Sequence, residues 1–243
     1  MIPSPAQIDQ FRNDGFFLSG QLLDHALLDE IVTDFERLRA EEDASVRAAG
    51  ERRGISMEGR NFIPHVDEKS KAGRRLCVSA TLVELAIALI GPDIRLYWNQ
   101  AVTNAPSSGA SFSWHQDSGY HAIDPLEYLT VWVPLEDSTI ENGTIYVIPG
   151  SQKWGLQEHV VDPDTGDKVG YRGPEEGIPV EVKKGEAAVF SSMCLHRSGP
   201  NTTDKPRRAY VVQYSPIDAV DPETGERWGG LLEVARNGRV LKI

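Results

Sequence analysis

The sequence is poor in cysteine: Cys77 and Cys194 are the only two in 243 residues. That excludes a disulfide framework and suits a reducing compartment, where both stay thiols. Also missing is any apolar run near the roughly twenty residues that cross a bilayer, so no membrane association is expected. The first residues, Met1-Ile2-Pro3-Ser4-Pro5, have neither the basic stretch nor the apolar segment of a secretory signal, and a cytoplasmic location is the expectation. Positive charge is scarce. With 25 Lys and Arg against 36 Asp and Glu, the formal net charge of -11 has the wrong sign for a nucleic-acid partner. There is no internal repeat and no low-complexity segment. What is present, 40% hydrophobic residues, supports a single domain over 1–243 with a sizeable core, acting on a small molecule. No feature specifies an oligomeric state.

The first third has helical periodicity. Ser4 before Pro5, with Gln7 three residues on, predicts a capped helix ending at Asn13-Asp14-Gly15. Asp24 opens a longer helix in which Leu27, Leu28, Ile31, Phe35 and Leu38 share one face. A third is expected from about Thr81, with Glu84 completing a capping box, to the Gly91-Pro92 stop.

Beyond Pro92 the pattern changes to short alternating or apolar runs between turn residues. Eight strands are expected: 94–102, 111–115, 129–135, 144–148, 178–182, 186–191, 194–197 and 208–214. The reading is a mainly β fold with helices packed outside (α+β), a double-stranded β-helix or cupin-like jelly roll. Its parts would be a helical 1–92, a jelly-roll core at 93–215 and a C-terminal extension at 216–243. Residues 162–174, beginning Asp162-Pro163-Asp164-Thr165-Gly166, are too polar and turn-rich for strand and read as a long loop.

His115-Gln116-Asp117 places an imidazole and a carboxylate two residues apart on a predicted strand, so both leave one face. Two histidines and one carboxylate on one face of an octahedron leave three positions open, as in oxygen-activating Fe(II) sites. His196, on a later strand, is the candidate third ligand. The spacing alone is weak evidence, because 6 His and 36 acids give about one His-x-Asp/Glu by chance. His65-Val66-Asp67 is such a copy, in a polar stretch without a strand pattern.

The surroundings of His115 are more specific. Residues 99–104 read Asn-Gln-Ala-Val-Thr-Asn, residues 141–151 run from Glu-Asn-Gly-Thr to Pro-Gly-Ser, and His196-Arg197-Ser198-Gly199-Pro200-Asn201 precedes Arg207. On these motifs the chain resembles the phytanoyl-CoA dioxygenase family, whose members carry an HxD strand, an "nGxlxviPGSH" segment and an "HxSxxN" with an Arg eleven residues after its His. The likeness covers roughly residues 5–215, with specific motifs from about 97 to 214. Gln152 departs from the family's frequent His after Pro-Gly-Ser, a position that is not a ligand. Asp117 is kept where halogenating members have Ala or Gly, which favours hydroxylation.

The resemblance implies that His115, Asp117 and His196 are catalytic and hold Fe(II), with 2-oxoglutarate and O2 as co-substrates. Succinate and CO2 would be released as an aliphatic C–H of a small molecule, such as a natural-product intermediate, amino acid or acyl derivative, is hydroxylated. Arg207 would clamp the far carboxylate with its planar fork, and the spacing selects it over Arg208, which faces the other way. Gln100, Thr130, Trp132 and Ser198 are expected beside the co-substrate; Asn104, Arg60 and His65 are assigned to the substrate. Cys194 shares the predicted face of His196 but reads as a small core residue.

Residues 47–75 carry Arg47, Arg52, Arg53, Arg60, Lys69, Lys71, Arg74 and Arg75 against only Glu51, Glu58, Asp67 and Glu68. The first reading is a solvated segment; the second is a lid over the barrel mouth that attracts an anionic substrate. Two rival functions remain: a non-oxidative metal-binding jelly roll (a cupin-like isomerase or ligand-binding protein), and an inactive homologue. Arg207 speaks against the first and the intact triad against the second.

Overall fold

The structure, a computed structural model, describes residues 2–49, 56–57 and 59–243. The N-terminal part contains α1 (Pro5–Asp14), β1 (Phe16–Leu18), α2 (His25–Ala49), β2 (Ser56–Met57), β3 (Arg60–Pro64), α3 (Val66–Lys69), α4 (Lys71–Cys77) and α5 (Ala80–Ile90). Strands then follow: β4 (Ile94–Asn104), β5 (Phe112–His115), β6 (Leu129–Pro134), β7 (Ile145–Val147), β8 (Val160–Val161), β9 (Lys168–Val169), β10 (Ile178–Val180) and β11 (Ala188–Ser191). The chain closes with β12 (His196–Ser198), β13 (Arg207–Pro216), β14 (Leu232–Arg236) and β15 (Arg239–Val240).

Two antiparallel sheets form a jelly roll. The large one runs β1-β11-β6-β13-β4-β14-β15, with β3 on the far half of β4 and β2 beyond it; the small one runs β10-β7-β12-β5. The central strands have no polar face because both of their faces are covered. On β6 and β13, Leu129, Val131, Val133, Tyr210, Val212 and Tyr214 turn outward into a core shared with Leu28, Ile31 and Phe35 of α2 and Leu82 and Leu85 of α5. The alternate residues Trp132, Ala209 and Val211 turn inward against Ile145, Val147 and Val180 of the small sheet. A side chain of this size withdrawn fully from water contributes about 1.5–3 kcal/mol, so the helices are an integral third layer.

The helix starts follow local chemistry. Ser4 and Gln7 form a reciprocal capping box, and Gly15 closes α1 at φ 82°. Asp24 Oδ1 accepts from Ala26 N at the start of α2. For α5 the expected Thr81 start is displaced: Ser79 is the cap, accepting from Leu82 N, and the helix begins at Ala80.

Each of the eight expected strands has a counterpart, and seven further strands, none longer than five residues, accompany them among the described residues. The stretch 194–197 starts later than expected, because Cys194 lies in a turn and β12 begins at His196. The expected loop at 162–174 is the tip and one arm of the β8–β9 hairpin. The stretch 216–243 joins the large sheet, β14 pairing with the start of β4. Between 60 and 77 the chain is strand and helix fixed to β4, not a free cover. Four of its five cations are engaged by other residues: Arg60 with Asp167, Arg74 with Asp67, Arg75 with Glu30, and Lys69 with Pro64 O. Arg52 and Arg53, and the side chain of Arg47, lie outside the described residues. Cys77 and Cys194 are free and buried. No helix among the described residues is long and apolar enough to cross a membrane.

Candidate metal centre

His115 and His196 face each other across β5 and β12, in register, with ring centroids 4.1 Å apart. Strand β5 ends at His115, where the expected strand 111–115 ends, so Asp117 does not share a strand face with His115 as its spacing suggested. Asp117 instead opens a 3-10 turn closed by Tyr120 N donating to Asp117 O, and this turn brings its carboxylate to the two rings. Asp117 Oδ1 lies 3.7 Å from His115 Nε2 and 3.6 Å from His196 Nε2. Donors about 2.1 Å from a shared ion lie at most about 4.2 Å apart, so these separations suit a single metal.

The surroundings hold each donor. Nδ1 of His115 is 2.8 Å from Ser113 O, and Nδ1 of His196 is 3.0 Å from Cys194 O. A carbonyl only accepts, so both Nδ1 atoms carry the proton and both Nε2 lone pairs point at the cluster. Burial, followed by the neighbouring His196 ring, pushes the His115 imidazole well below its ordinary pKa and keeps it in the neutral form a ligand needs. On Asp117, Oδ2 is already taken: it accepts from Thr130 Oγ1 at 2.6 Å and Gln213 Nε2 at 2.9 Å. The Asp117 loop is braced by His159, whose Nε2 accepts from Gln116 N. A Cβ at Gly119 would lie 2.2 Å from that ring, so only glycine fits there. Gln116 is fully buried and turns the other way, donating to Gly155 O and Met193 O.

A cavity of about 90 Å³ between the sheets joins this cluster to Arg207. Arg207 is 1% exposed, and its carbon Cζ lies 5.5 Å from the Trp132 ring centroid. It donates to Gly143 O, its Nε has no partner, and it makes no ion pair with any described residue. Burial pushes its pKa down to about 10, so it stays protonated at neutral pH. A buried guanidinium without a carboxylate is costly unless an anion joins it. Arg208 points outward to Glu36 and Glu136.

The other expected residues divide. Gln100, Thr130, Trp132 and Ser198 line this cavity. Thr130 is committed to Asp117, Gln100 Oε1 accepts from Trp98 Nε1, and Ser198 Oγ accepts from Phe112 N. Asn104, assigned to the substrate, sits on the Arg207 side, paired with it across β4 and β13, and its Nδ2 is buried without a partner. Arg60 lines the cavity too, but buried against Asp167. His65 lines neither this cavity nor its neighbour; it caps α3 in the left-handed region and rests on Trp98. Its partner in the motif, Asp67, accepts from Asn99.

A second chamber of about 370 Å³ opens from the same cluster, sharing His115, Asp117, Gln100 and Gln213. Its walls include Asp167, Tyr120 and Trp228, none expected from the sequence. Asp167 also accepts from Ser113 N on β5. Its place in an acidic turn hid it.

Two antiparallel sheets closing on two imidazoles and a carboxylate define a jelly-roll protein with a mononuclear metal-site geometry. The chain belongs to the phytanoyl-CoA dioxygenase (PhyH) family, whose sequence model matches residues 11–209. It is 25% identical over 257 residues to phytanoyl-CoA dioxygenase domain-containing protein 1 of Bos taurus, covering 86% of this chain and 88% of that one. Among solved structures, the non-heme monooxygenase ThoJ superposes with TM-score 0.72 at 25% identity, over 88% of this chain and 79% of its own. The epimerase SnoN, solved with Fe3+, alpha ketoglutarate and nogalamycin RO, gives TM-score 0.72 at 22% identity over 93% of both chains, a likeness of fold.

Proposed function

We propose that this protein is an Fe(II)- and 2-oxoglutarate-dependent dioxygenase that hydroxylates an aliphatic C–H bond of a small molecule. One observation carries the reading: the donor cluster of His115, Asp117 and His196 shares a buried cavity with Arg207, a guanidinium that lacks a carboxylate partner. Iron bound there supplies oxygen activation coupled to loss of CO2 from 2-oxoglutarate, leaving succinate.

The chain's own residues do the rest. His115 and His196 offer Nε2 because their Nδ1 protons are held by Ser113 O and Cys194 O. Thr130 and Gln213 hold Asp117 so that Oδ1 faces the same point. Arg207 pairs with the far carboxylate of 2-oxoglutarate, and Trp132 and Val211 keep water from that pair. Gln100, Asn104 and Ser198 complete the polar lining. The substrate approaches from the second chamber, where Asp117 and His115 also line the wall. Hydroxylation is favoured over halogenation because Asp117 occupies the position a halide would need. Among proteins of this fold one is described as a monooxygenase and another as an epimerase, so the outcome depends on how the substrate is held.

The test is anaerobic addition of Fe(II) and 2-oxoglutarate. A weak visible charge-transfer band is expected in wild type, absent in His196→Ala and needing at least tenfold more 2-oxoglutarate in Arg207→Ala. Bound iron without a band in wild type would point instead to a non-oxidative cupin-like protein.

A further inference from the structure

The second chamber carries a reading of its own. Aromatic rings make up much of its wall, among them Tyr97, Trp98, Phe112, Tyr120 and Trp228. Trp98 and Trp228 lie parallel at 9° with centroids 5.9 Å apart, and His121 stacks on Trp228 at 3.8 Å. Charge is accounted for. Among the described residues no Lys or Arg lines the chamber. Asp167 is engaged by Arg60 and Ser113 N, Asp117 by Thr130 and Gln213, and His121 lies 3.2 Å from Asp221. The nearby Lys168 ammonium is turned onto Gly119 O and Tyr120 O. Away from the donor cluster, where Asp117 Oδ1 is turned to the two imidazoles, neither an anion nor a cation would find a free counter-charge among the described lining residues, whereas a flat uncharged ring finds aromatic faces and edges on which to stack.

The wall that brings Trp228 lies beyond residue 209, where the family match ends. It is built in. Arg95, fully buried, donates to Ala219 O and Gly230 O, so both of its bonds tie down this segment. Asp124 and Val220 exchange backbone hydrogen bonds, and Gly230 N donates to Tyr97 O. At Gly229 a Cβ would meet Tyr97 O at 2.7 Å, and at Gly230 it would meet Leu96 O at 2.5 Å. The two glycines after Trp228 let the chain press onto β4 and deliver the indole to the chamber.

We infer that the second chamber takes an uncharged, ring-bearing substrate, selected by Trp228 on the C-terminal segment packed against β4. The word substrate rests on the oxygenase reading; the ligand chemistry rests on the chamber alone. The test uses 2-naphthol and 2-naphthoate, which share one ring system but differ in charge, the first neutral and the second an anion, titrated by calorimetry and saturation-transfer NMR. 2-Naphthol is expected to bind wild type, to weaken at least tenfold in Trp228→Ala and Trp228→Gln, and to recover in Trp228→Phe, with Arg207→Ala having no effect. The phenylalanine variant keeps a ring and the glutamine variant a longer side chain than alanine, so a fold lost in the alanine variant does not decide the matter. Absence of 2-naphthol binding, binding indifferent to Trp228, or 2-naphthoate binding as tightly in Arg207→Ala would overturn the inference. The charge-transfer band, read on the same samples, separates the two claims. A missing band with Trp228-dependent binding removes only the oxygenase reading, and a band without Trp228 dependence removes only this one.

Discussion

Arg60 and Arg207 line the same cavity, each with less than a tenth of its surface exposed, and their surroundings differ. Arg60 is matched by Asp167 at 2.8 Å, with side-chain exposures of 4% and 1%; Arg207 is matched by no carboxylate of the described residues. Removing one member of a buried pair strands the other charge, so Asp167→Asn is expected to lower stability by about 3–5 kcal/mol in urea unfolding. The apolar double variant Arg60→Met, Asp167→Leu should lose far less, because nothing charged is left behind. That His115, Asp117, His196 and Arg207 line one cavity was legible through the family motifs they match, the two-residue His-Asp spacing alone being too common to carry it. Asp167 was not, since Asp162-Pro163-Asp164-Thr165-Gly166-Asp167 has the composition of any exposed turn and only tertiary contact buries its last residue.

Among the elements, strands inside an apolar or alternating run between turn residues could be read, β7, β10 and β12 at three residues each included, whereas β3 and β14, at five residues each, could not. Strand β6 announces itself as Leu-Thr-Val-Trp-Val-Pro, whereas β8 and β9 have two residues each and exist because they pair. Helix α5 was placed slightly late because Thr81-Glu84 mimics a capping box while Ser79 makes the bond. The C-terminal segment gave no periodic signal; its order comes from Arg95 and from Gly229 and Gly230 against β4. Gly229→Ala would require a left-handed φ of 82° and a clash with Tyr97 O. That variant is expected to free the segment, red-shifting Trp228 emission and speeding proteolysis between 217 and 230, with little change in β13.

The molecule as a whole should respond to metal as a ligand of the native state, because the three donors converge only when β5, β12 and the Asp117 turn are assembled. Cobalt(II) at a hundred times its Kd is expected to add about 2.7 kcal/mol to stability, read as a raised Tm, and His115→Ala should abolish the gain. The central strand β13 has a further consequence. It is bonded on both sides, to β4 and β6, and carries Arg207 near one end and Gln213, the support of Asp117, six residues later on the same inward face. Such a strand cannot stretch, so the interval between carboxylate anchor and metal donor is a fixed gauge set by peptide geometry. On the proposed role of Arg207, a diacid would thereby be measured for length before any chemistry begins. The five-carbon keto acid should fit, and its six-carbon homologue, 2-oxoadipate, should compete at least about tenfold more weakly for the same site.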